Sequence, residues 1–261
     1  YEISETFEVS IMRDKVKVKT VESRMDGNIG YIRISTFNEG TGESLREALR
    51  ELALGKPEEM GGLVIDLRNN PGGLLEQALR VSNSFLVSGE IVSTMGRMDG
   101  PIRRFRADSE DVSGGVPLAV LINNATASAS EIVSGALKDR GRALIFGRRS
   151  FGKGSVQSII PLSGDLGAIR LTTARYYLPS GRSIQVYGVE PHVVEEAGGP
   201  SSGEADLANF LQPDEKPMSK HIIGINDICP DASRANDPVL SCAVFALRSR
   251  LSLPSAAQLK N

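Results

Sequence analysis

The sequence lacks an excess of charge of either sign. Its 261 residues include 30 Lys and Arg and 32 Asp and Glu, which leaves a formal net charge of -2. Nucleic acids and anionic membranes attract strongly basic proteins, so this balance gives no electrostatic reason to expect either partner. Long apolar runs are missing too, because none approaches the ~18 residues that a membrane-spanning helix needs. With 40% apolar residues, the chain is typical of one large globular domain, alone or with an appendage.

Cysteine and histidine are scarce. Cys229 and Cys242 have no Cys or His partners at a spacing that suits zinc, so the sequence predicts no metal site. The two cysteines are compatible with a disulfide that closes a short loop, and equally with two unpaired thiols. His192 and His221 lie far downstream, and there is no Gly-x-Ser-x-Gly turn, which disfavours a Ser-His-Asp enzyme.

The apolar pattern predicts an α/β fold with a buried sheet. Two segments each combine an apolar strand, a turn and an amphipathic helix: GLVIDL, RNNPGG and LLEQALRVSNSFL, then PLAVLIN, NATAS and ASEIVSGALKDRG. Upstream of them, KVKVKTVES and YIRI predict two strands around the turn MDGNIG. The segment GTGESLREALRELALG predicts a helix that ends at Gly55, with an apolar face of Leu45, Leu49 and Leu52.

The later segments predict a hairpin, a connector and a final helix. SVQSIIPL and AIRLTTARYYL are rich in β-branched and aromatic residues, which favours a β-hairpin. Residues 195–220 are rich in Gly, Pro, Ser and acidic residues, which indicates a flexible connector with one short helix in ADLANFLQ. In NDPVLSCAVFALRSRL, Asp237 suits an N-cap and Pro238 a first helical turn, and the apolar face consists of Val239, Ala243, Val244 and Leu247.

The stretch GRRSFGKGS has the glycine and lysine spacing of a phosphate-binding loop but fails its other requirements. Gly154 stands where the hydroxyl residue should follow Lys153, and the next segment is a predicted strand, so no helix N-terminus is offered to a phosphate. The glycines on either side of Lys153 would instead let the backbone approach another element closely. Poor solvation there would favour the neutral amine, which can act as a general base.

A candidate nucleophile lies in NATASASEIV. Ser128 is placed before the second helix, where backbone N–H groups and the helix dipole favour developing negative charge. Ordinary helix capping is the competing interpretation, and Ser130 with Glu131 could provide it. The glycines of NNPGG follow the neighbouring strand, so the two turns could share an oxyanion hole at the carboxyl end of the sheet.

Four blocks in this order, GYIRISTFNE, VIDLRNNPGG, NATASASEIVSGAL and RSFGKGSVQ, followed by LTTARYYLPSGRSIQ, resemble the carboxy-terminal processing proteases, also called tail-specific proteases. The resemblance covers roughly residues 16–191 and implies an ATP-independent serine endopeptidase with an α/β core similar to that of Clp protease and crotonase. It implies that Ser128 is the nucleophile, Lys153 the general base, and Gln157 the residue that orients the lysine from the same face of a strand. The backbone N–H groups of Gly73 and Ala129 would form the oxyanion hole.

The resemblance also implies a division of the chain. Residues 1–14 would end a preceding PDZ domain or linker, 15–194 would form the catalytic core, 195–235 a flexible connector, and 236–261 a C-terminal helix and tail. The expected substrates are unstructured or apolar protein C-termini, in a periplasmic or otherwise extracytoplasmic compartment. No cofactor, metal or nucleotide is expected, and a homo-oligomer is compatible with the family. Asp139 is interpreted as a structural residue at a helix end, and His192 has no expected catalytic role.

Two other functions remain open on the sequence. One is a crotonase-like acyl-CoA enzyme, in which SASE and FGKG would have no role, and the other is a catalytically silent scaffold. A resting site in which Lys153 lies too far from Ser128 for a hydrogen bond is also compatible with the chemistry.

Overall fold

The computed structural model describes residues 8–10, 12, 18–53, 60–96, 102–164, 166–195, 203–213, 223–229, 231–232 and 235–250. This part of the chain forms a mixed α/β fold with two sheets, which confirms the predicted fold class. Residues 1–14, predicted to end a PDZ domain or linker, lie mostly outside the described residues, as does the predicted helix stop at Gly55. No helix in the described ranges is both long and apolar enough to cross a membrane.

The larger sheet has seven strands in the order β1-β2-β3-β6-β7-β10-β11. Its strands are β1 Val21–Asp26, β2 Ile29–Ile34, β3 Gly62–Asp66, β6 Leu118–Ile122, β7 Ala143–Gly147, β10 Val193–Val194 and β11 Ile223–Gly224. Only the β1–β2 pair is antiparallel, and every other neighbouring pair is parallel. The central strands β3 and β6 are fully buried, which explains their continuous apolar sequences.

Helices cover both faces of this sheet. The helices α1 Thr41–Ala53, α2 Leu75–Asn83 and α3 Ala129–Asp139 pack on one face, in a core that includes Leu63, Ile65 and Val120. The helices α4 Ile225–Ile228 and α5 Pro238–Arg248 pack on the other face, where Val64 and Leu121 point. Both predicted strand-turn-helix units are therefore confirmed, and alternate residues of each strand supply the two cores.

The C-terminal helix docks as its sequence predicts. The Asp237 side chain accepts the N–H of Leu240 at 3.0 Å and so caps α5. Arg68, just after β3, binds both Asp66 and Asp237 at 2.7 Å, which ties the end of a central strand to the start of α5. A disulfide between Cys229 and Cys242 joins α5 to the segment that follows α4, which settles the alternative that the sequence left open.

The second sheet is antiparallel and has the order β5-β4-β9-β8. Its strands are β4 Gly89–Gly96, β5 Arg103–Ala107, β8 Ser155–Pro161 and β9 Ala168–Tyr177. The β8–β9 hairpin was predicted and is confirmed, whereas β4 and β5 were not predicted from the sequence. The helix predicted in ADLANFLQ is wrong, because only a single 3-10 turn, Glu204–Asp206, forms there. The N–H of Glu204 donates to Phe151 O at 2.9 Å, so this part of the predicted connector packs on the loop before β8.

Candidate active site

Two turns meet at the carboxyl ends of the neighbouring parallel strands β3 and β6. The buried Asn70 joins them, because its carbonyl oxygen accepts the N–H of Ala127 and the hydroxyl of Ser130, each at 3.0 Å. The side-chain amide of Asn70 donates to Ile34 O at 2.8 Å, which also fixes the turn to β2. Ser130, which the sequence offered as a helix cap, thus links the two turns.

Ser128 lies between β6 and α3 in an unusual backbone conformation. Its φ is 56° and its ψ is -114°, a region that non-glycine residues adopt only when the surrounding structure holds them there. Ser128 occupies the N-cap position of α3, and the Glu131 side chain accepts its N–H as in a capping box, so this turn is compatible with helix capping as well as with a nucleophile. Nucleophiles in α/β enzymes are commonly presented on such strained strand-to-helix turns.

The backbone N–H groups of Gly73 and Ala129 are left unpaired beside this serine. Within the described ranges, neither N–H has a hydrogen-bond acceptor, although the N–H groups of Gly72, Leu74, Ser128 and Ser130 each do. A Cβ atom built on Gly72 would lie 2.8 Å from the Ala129 nitrogen and 2.9 Å from the Ser128 Cβ, so the two turns are in direct contact here. An oxyanion hole requires unpaired donors beside a nucleophile, and the assignment of these two N–H groups to one stays a prediction.

Glu131 connects the nucleophile turn to the lysine loop. Its Oε2 accepts the backbone N–H of Ser128 at 2.7 Å and that of Lys153 at 2.9 Å. Its Oε1 accepts the Ser150 hydroxyl at 2.6 Å and the Gly152 N–H at 2.7 Å. The side chain is fully buried, and burial raises its pKa to about 7 against the opposing effect of these four hydrogen bonds.

The glycines around Lys153 allow the close backbone approach that the sequence predicted. A Cβ on Gly152, whose φ is +95°, would lie 2.6 Å from Val186 O, and a Cβ on Gly154 would collide with the backbone of Gln185. The Phe151 N–H donates to Thr126 O at 2.9 Å, which holds the loop against the nucleophile turn. Lys153 is consequently half-buried at the entrance to β8.

The side chains of Ser128, Lys153 and Gln157 are not joined by hydrogen bonds in the described part of the chain. Gln157 is exposed, and Lys153 lies just before β8, which begins at Ser155. The β-bulge near Gln157 adds its extra residue, Thr173, to β9 and not to β8, so it leaves the shared face of residues 153 and 157 a prediction. The catalytic roles of all three residues stay predictions.

Asp139 and His192, the other polar residues singled out in the sequence, have structural partners. Asp139 ends α3, roughly 16 Å along the helix from Ser128 by helical rise, and accepts the Ser180 N–H at 3.0 Å. His192 accepts the Ile145 N–H through Nδ1 at 2.9 Å. Within the described ranges, no group of three or more His, Cys, Asp or Glu residues could hold a metal ion.

A polar pocket of about 320 Å³ lies at the same edge but does not include Ser128 or Lys153. Arg68 and Arg148 line it, and both are paired: Arg68 with Asp66 and Asp237, and Arg148 with Glu195 at 2.8 Å. The positive charge of these two arginines is thus balanced by the carboxylates that bind them.

Comparison with known proteins identifies the family. Residues 28–195, more than half of the chain, match the model of peptidase family S41. The chain belongs to peptidase family S41. It is 50% identical over 219 residues to a carboxy-terminal-processing protease of Bartonella bacilliformis, an alignment that covers 80% of this chain and 50% of the relative. It is 38% identical over 196 residues to a carboxyl-terminal-processing protease of a Synechocystis species, covering 72% of this chain and 44% of the relative.

The solved structures agree with this assignment. The photosystem II D1 C-terminal processing protease superposes with a TM-score of 0.62 at 37% identity, covering 70% of this chain and 50% of that one. A peptidase structure from Parabacteroides merdae gives a TM-score of 0.59 at 17% identity, which is a likeness of fold. The S41 chain described here spans about half the length of the curated relatives it matches.

Proposed function

We propose that this S41 chain is an ATP-independent serine endopeptidase that processes proteins from their C-termini. The observation that carries the proposal is the pair of unpaired backbone N–H groups, on Gly73 and Ala129, in the two turns that meet at Ser128. Backbone donors that the fold holds in place need no reorganisation to bind a developing oxyanion. Family membership supports a peptidase, and the names of the relatives support the processing of C-termini.

The proposed reaction is acyl transfer through Ser128. The neutral amine of Lys153 accepts the hydroxyl proton as Oγ attacks the peptide carbonyl, and the N–H groups of Gly73 and Ala129 bind the oxyanion. The tetrahedral intermediate expels the amine, which takes a proton from the lysine ammonium, and leaves an acyl-enzyme. Water then attacks the ester with Lys153 again as the base, and Gln157 is proposed to orient the lysine once the site is aligned.

An exposed apolar ribbon beside the site supports apolar polypeptide substrates. On one face of the β8–β9 hairpin, Ile160 lies opposite Ile169, and Leu171 follows on the same face. All three side chains are more than 40% exposed. β8 begins two residues after Lys153 and pairs only with β9 among the described strands, so an extended chain entering the site would run along it.

The compartment and the organisation of the chain are part of the same proposal. An extracytoplasmic location is supported by the Cys229–Cys242 disulfide, because disulfides form and persist mainly in oxidising compartments. A catalytic core over residues 15–194, a connector over 195–235 and a terminal helix and tail over 236–261 stay predictions. So does assembly into a homo-oligomer.

Labelling with a small serine-reactive phosphonate tests the proposal. We expect mass spectrometry to place one adduct on Ser128, and no adduct to form in Ser128→Ala. Lys153→Ala should lose labelling and cleavage of an unstructured polypeptide, whereas Lys19→Ala, which removes an exposed lysine, should keep both. Full activity in Lys153→Ala would refute the lysine as base, and chelators should have no effect.

The same experiment separates the alternatives. Membership of a peptidase family favours proteolysis over crotonase-like acyl-CoA chemistry. A silent scaffold would show no adduct on Ser128 under conditions in which the protein is folded. An adduct on Ser128 without any cleavage of polypeptides would favour acyl transfer to another class of substrate.

A further inference from the structure

Glu131 is the one side chain in the described part of the chain that binds the backbone of both proposed catalytic residues. The serine and the lysine belong to different segments, separated by α3 and β7. A single atom, Oε2, accepts the N–H of Ser128 and the N–H of Lys153. The position of one residue relative to the other is therefore set through this oxygen.

All four partners of the carboxylate are donors. Three are backbone N–H groups, and the fourth is the Ser150 hydroxyl, whose oxygen already accepts the Val189 N–H at 2.7 Å. The hydroxyl proton of Ser150 thus points to Glu131. The ionised carboxylate accepts from all four donors, whereas a protonated acid or an amide turns a donor of its own towards one of them, so the complete set of hydrogen bonds forms at pH values above the raised pKa of Glu131.

Burying a carboxylate costs free energy, so its burial at this position needs an explanation. The side chain is fully buried, and no lysine or arginine forms an ion pair with it in the described ranges. Helix capping does not require a buried carboxylate. An exposed carboxylate at this position would bind the Ser128 N–H without the free-energy cost of desolvation. The burial follows from the contacts with Ser150, Gly152 and Lys153, 19 to 22 residues downstream.

We propose that Glu131 is a positioning residue that sets the distance between the Ser128 hydroxyl and the Lys153 amine. This inference rests on the proposed function, since it takes Ser128 as nucleophile and Lys153 as base. Glu131 contacts their backbones and none of the reacting atoms. Its loss would let the Ser150–Lys153 segment shift relative to α3, and misplacement by about 1 Å is enough to cost about 10²-fold in rate.

Glu131→Gln tests the inference, with Glu204→Gln as the matched control. Glu204 is also buried and lies on a segment that packs against Phe151. Its carboxylate accepts a hydrogen bond from the Gln185 side chain, and not from the backbone of Ser128 or Lys153. We expect Glu131→Gln to lower kcat and the rate of phosphonate labelling about 10²-fold, with KM changed less than about threefold. Glu204→Gln should keep both rates within about threefold of the original.

Glu131→Asp provides a second variant in case the amide does not fold. Its shorter side chain keeps the charge but cannot reach both segments, so we expect the same fall in kcat in a protein that melts cooperatively. A folded Glu131 variant with the original kcat and labelling rate would overturn the inference, as would an equal loss in Glu204→Gln. If the unmodified protein itself forms no adduct on Ser128, the proposed function fails, and that outcome is distinct from normal labelling in both Glu131 variants.

Discussion

A Cβ atom on Gly72 would lie 2.8 Å from the backbone nitrogen of Ala129, which is closer than real side chains approach. The same atom would lie 2.6 Å from Ala127 O. Gly72 therefore has to lack a side chain for the turn after β3 to touch the turn that carries Ser128. This contact brings the turn that contains Gly73 against the backbone nitrogen of Ala129.

Gly72→Ala should separate the two turns and remove activity. We expect the rate of phosphonate labelling to fall about 10²-fold, the usual effect of losing one oxyanion donor. Gly181→Ala is the control, because Gly181 also has a positive φ, +81°, but has open space around its Cβ position. Both variants carry strain of about 1 kcal/mol, so equal labelling rates in the two would show that the contact between the turns is unimportant.

The location of this site was predictable, because strand-turn-helix units place their turns at the carboxyl edge of a parallel sheet. Ser128, Gly73 and Ala129 belong to two such units with clear apolar patterns, and the structure brings them together. The role of Gly152 and Gly154, on either side of Lys153, was also predictable, since glycines let the backbone approach another segment closely. Here the local sequence and the tertiary contacts agree.

Other features depended on contacts that no local pattern contains. Glu131 stands three residues after Ser128, so its spacing indicates a capping residue, but its contacts with Ser150 and Lys153 come from a segment beyond β7. The orientation of Gln157 towards Lys153 stays a prediction, because Lys153 lies outside the regular strand β8, which begins at Ser155. Strands β4 and β5 are partly exposed, and the pairing of β5 with β4 and of β4 with β9 sets them as much as their own sequences do.

The apolar face of the β8–β9 hairpin should affect substrate binding and not chemistry. Ile160→Ser removes an exposed apolar side chain worth about 1 kcal/mol of contact with an apolar substrate, so we expect KM for a polypeptide to rise roughly fivefold. The kcat value and the labelling rate with a small phosphonate should not change. Ile159→Ser is the control, since Ile159 is 70% exposed on the opposite face, across from Arg170. A rise in KM that is equal in the two variants would contradict a role for this face.

The buried carboxyl of Glu131 should make the protein more stable at acidic pH than at neutral pH. Its pKa is 4.5 in a model compound and about 7 when buried in the fold. Between these values the folded state keeps a proton that the unfolded state has lost, so the free energy of unfolding falls as the pH rises. The difference corresponds to about 3 kcal/mol.

Urea unfolding at pH 5 and pH 8 measures this effect. Burial acts to raise the pKa of Asp237, but its hydrogen bonds with Arg68 and Leu240 outweigh burial and lower the pKa from 3.8. The stability that Asp237 contributes is therefore lost only at a pH below this range. Glu131→Gln should flatten the slope between pH 5 and pH 8. An identical slope in the variant would mean that Glu131 does not titrate in this range.

The disulfide should stabilise the fold without affecting the site. Cys229 and Cys242 close a loop with a sequence separation of 13, for which loop entropy gives about 3 kcal/mol. The bond joins α5 to the segment after α4, on the sheet face opposite α3, so reduction should lower the free energy of unfolding while labelling of Ser128 stays unchanged in the folded protein. The chain has only these two cysteines, so a double Cys229→Ala, Cys242→Ala variant should be insensitive to reductant. Loss of labelling on reduction, under conditions in which the protein remains folded, would show that the two faces of the sheet are coupled.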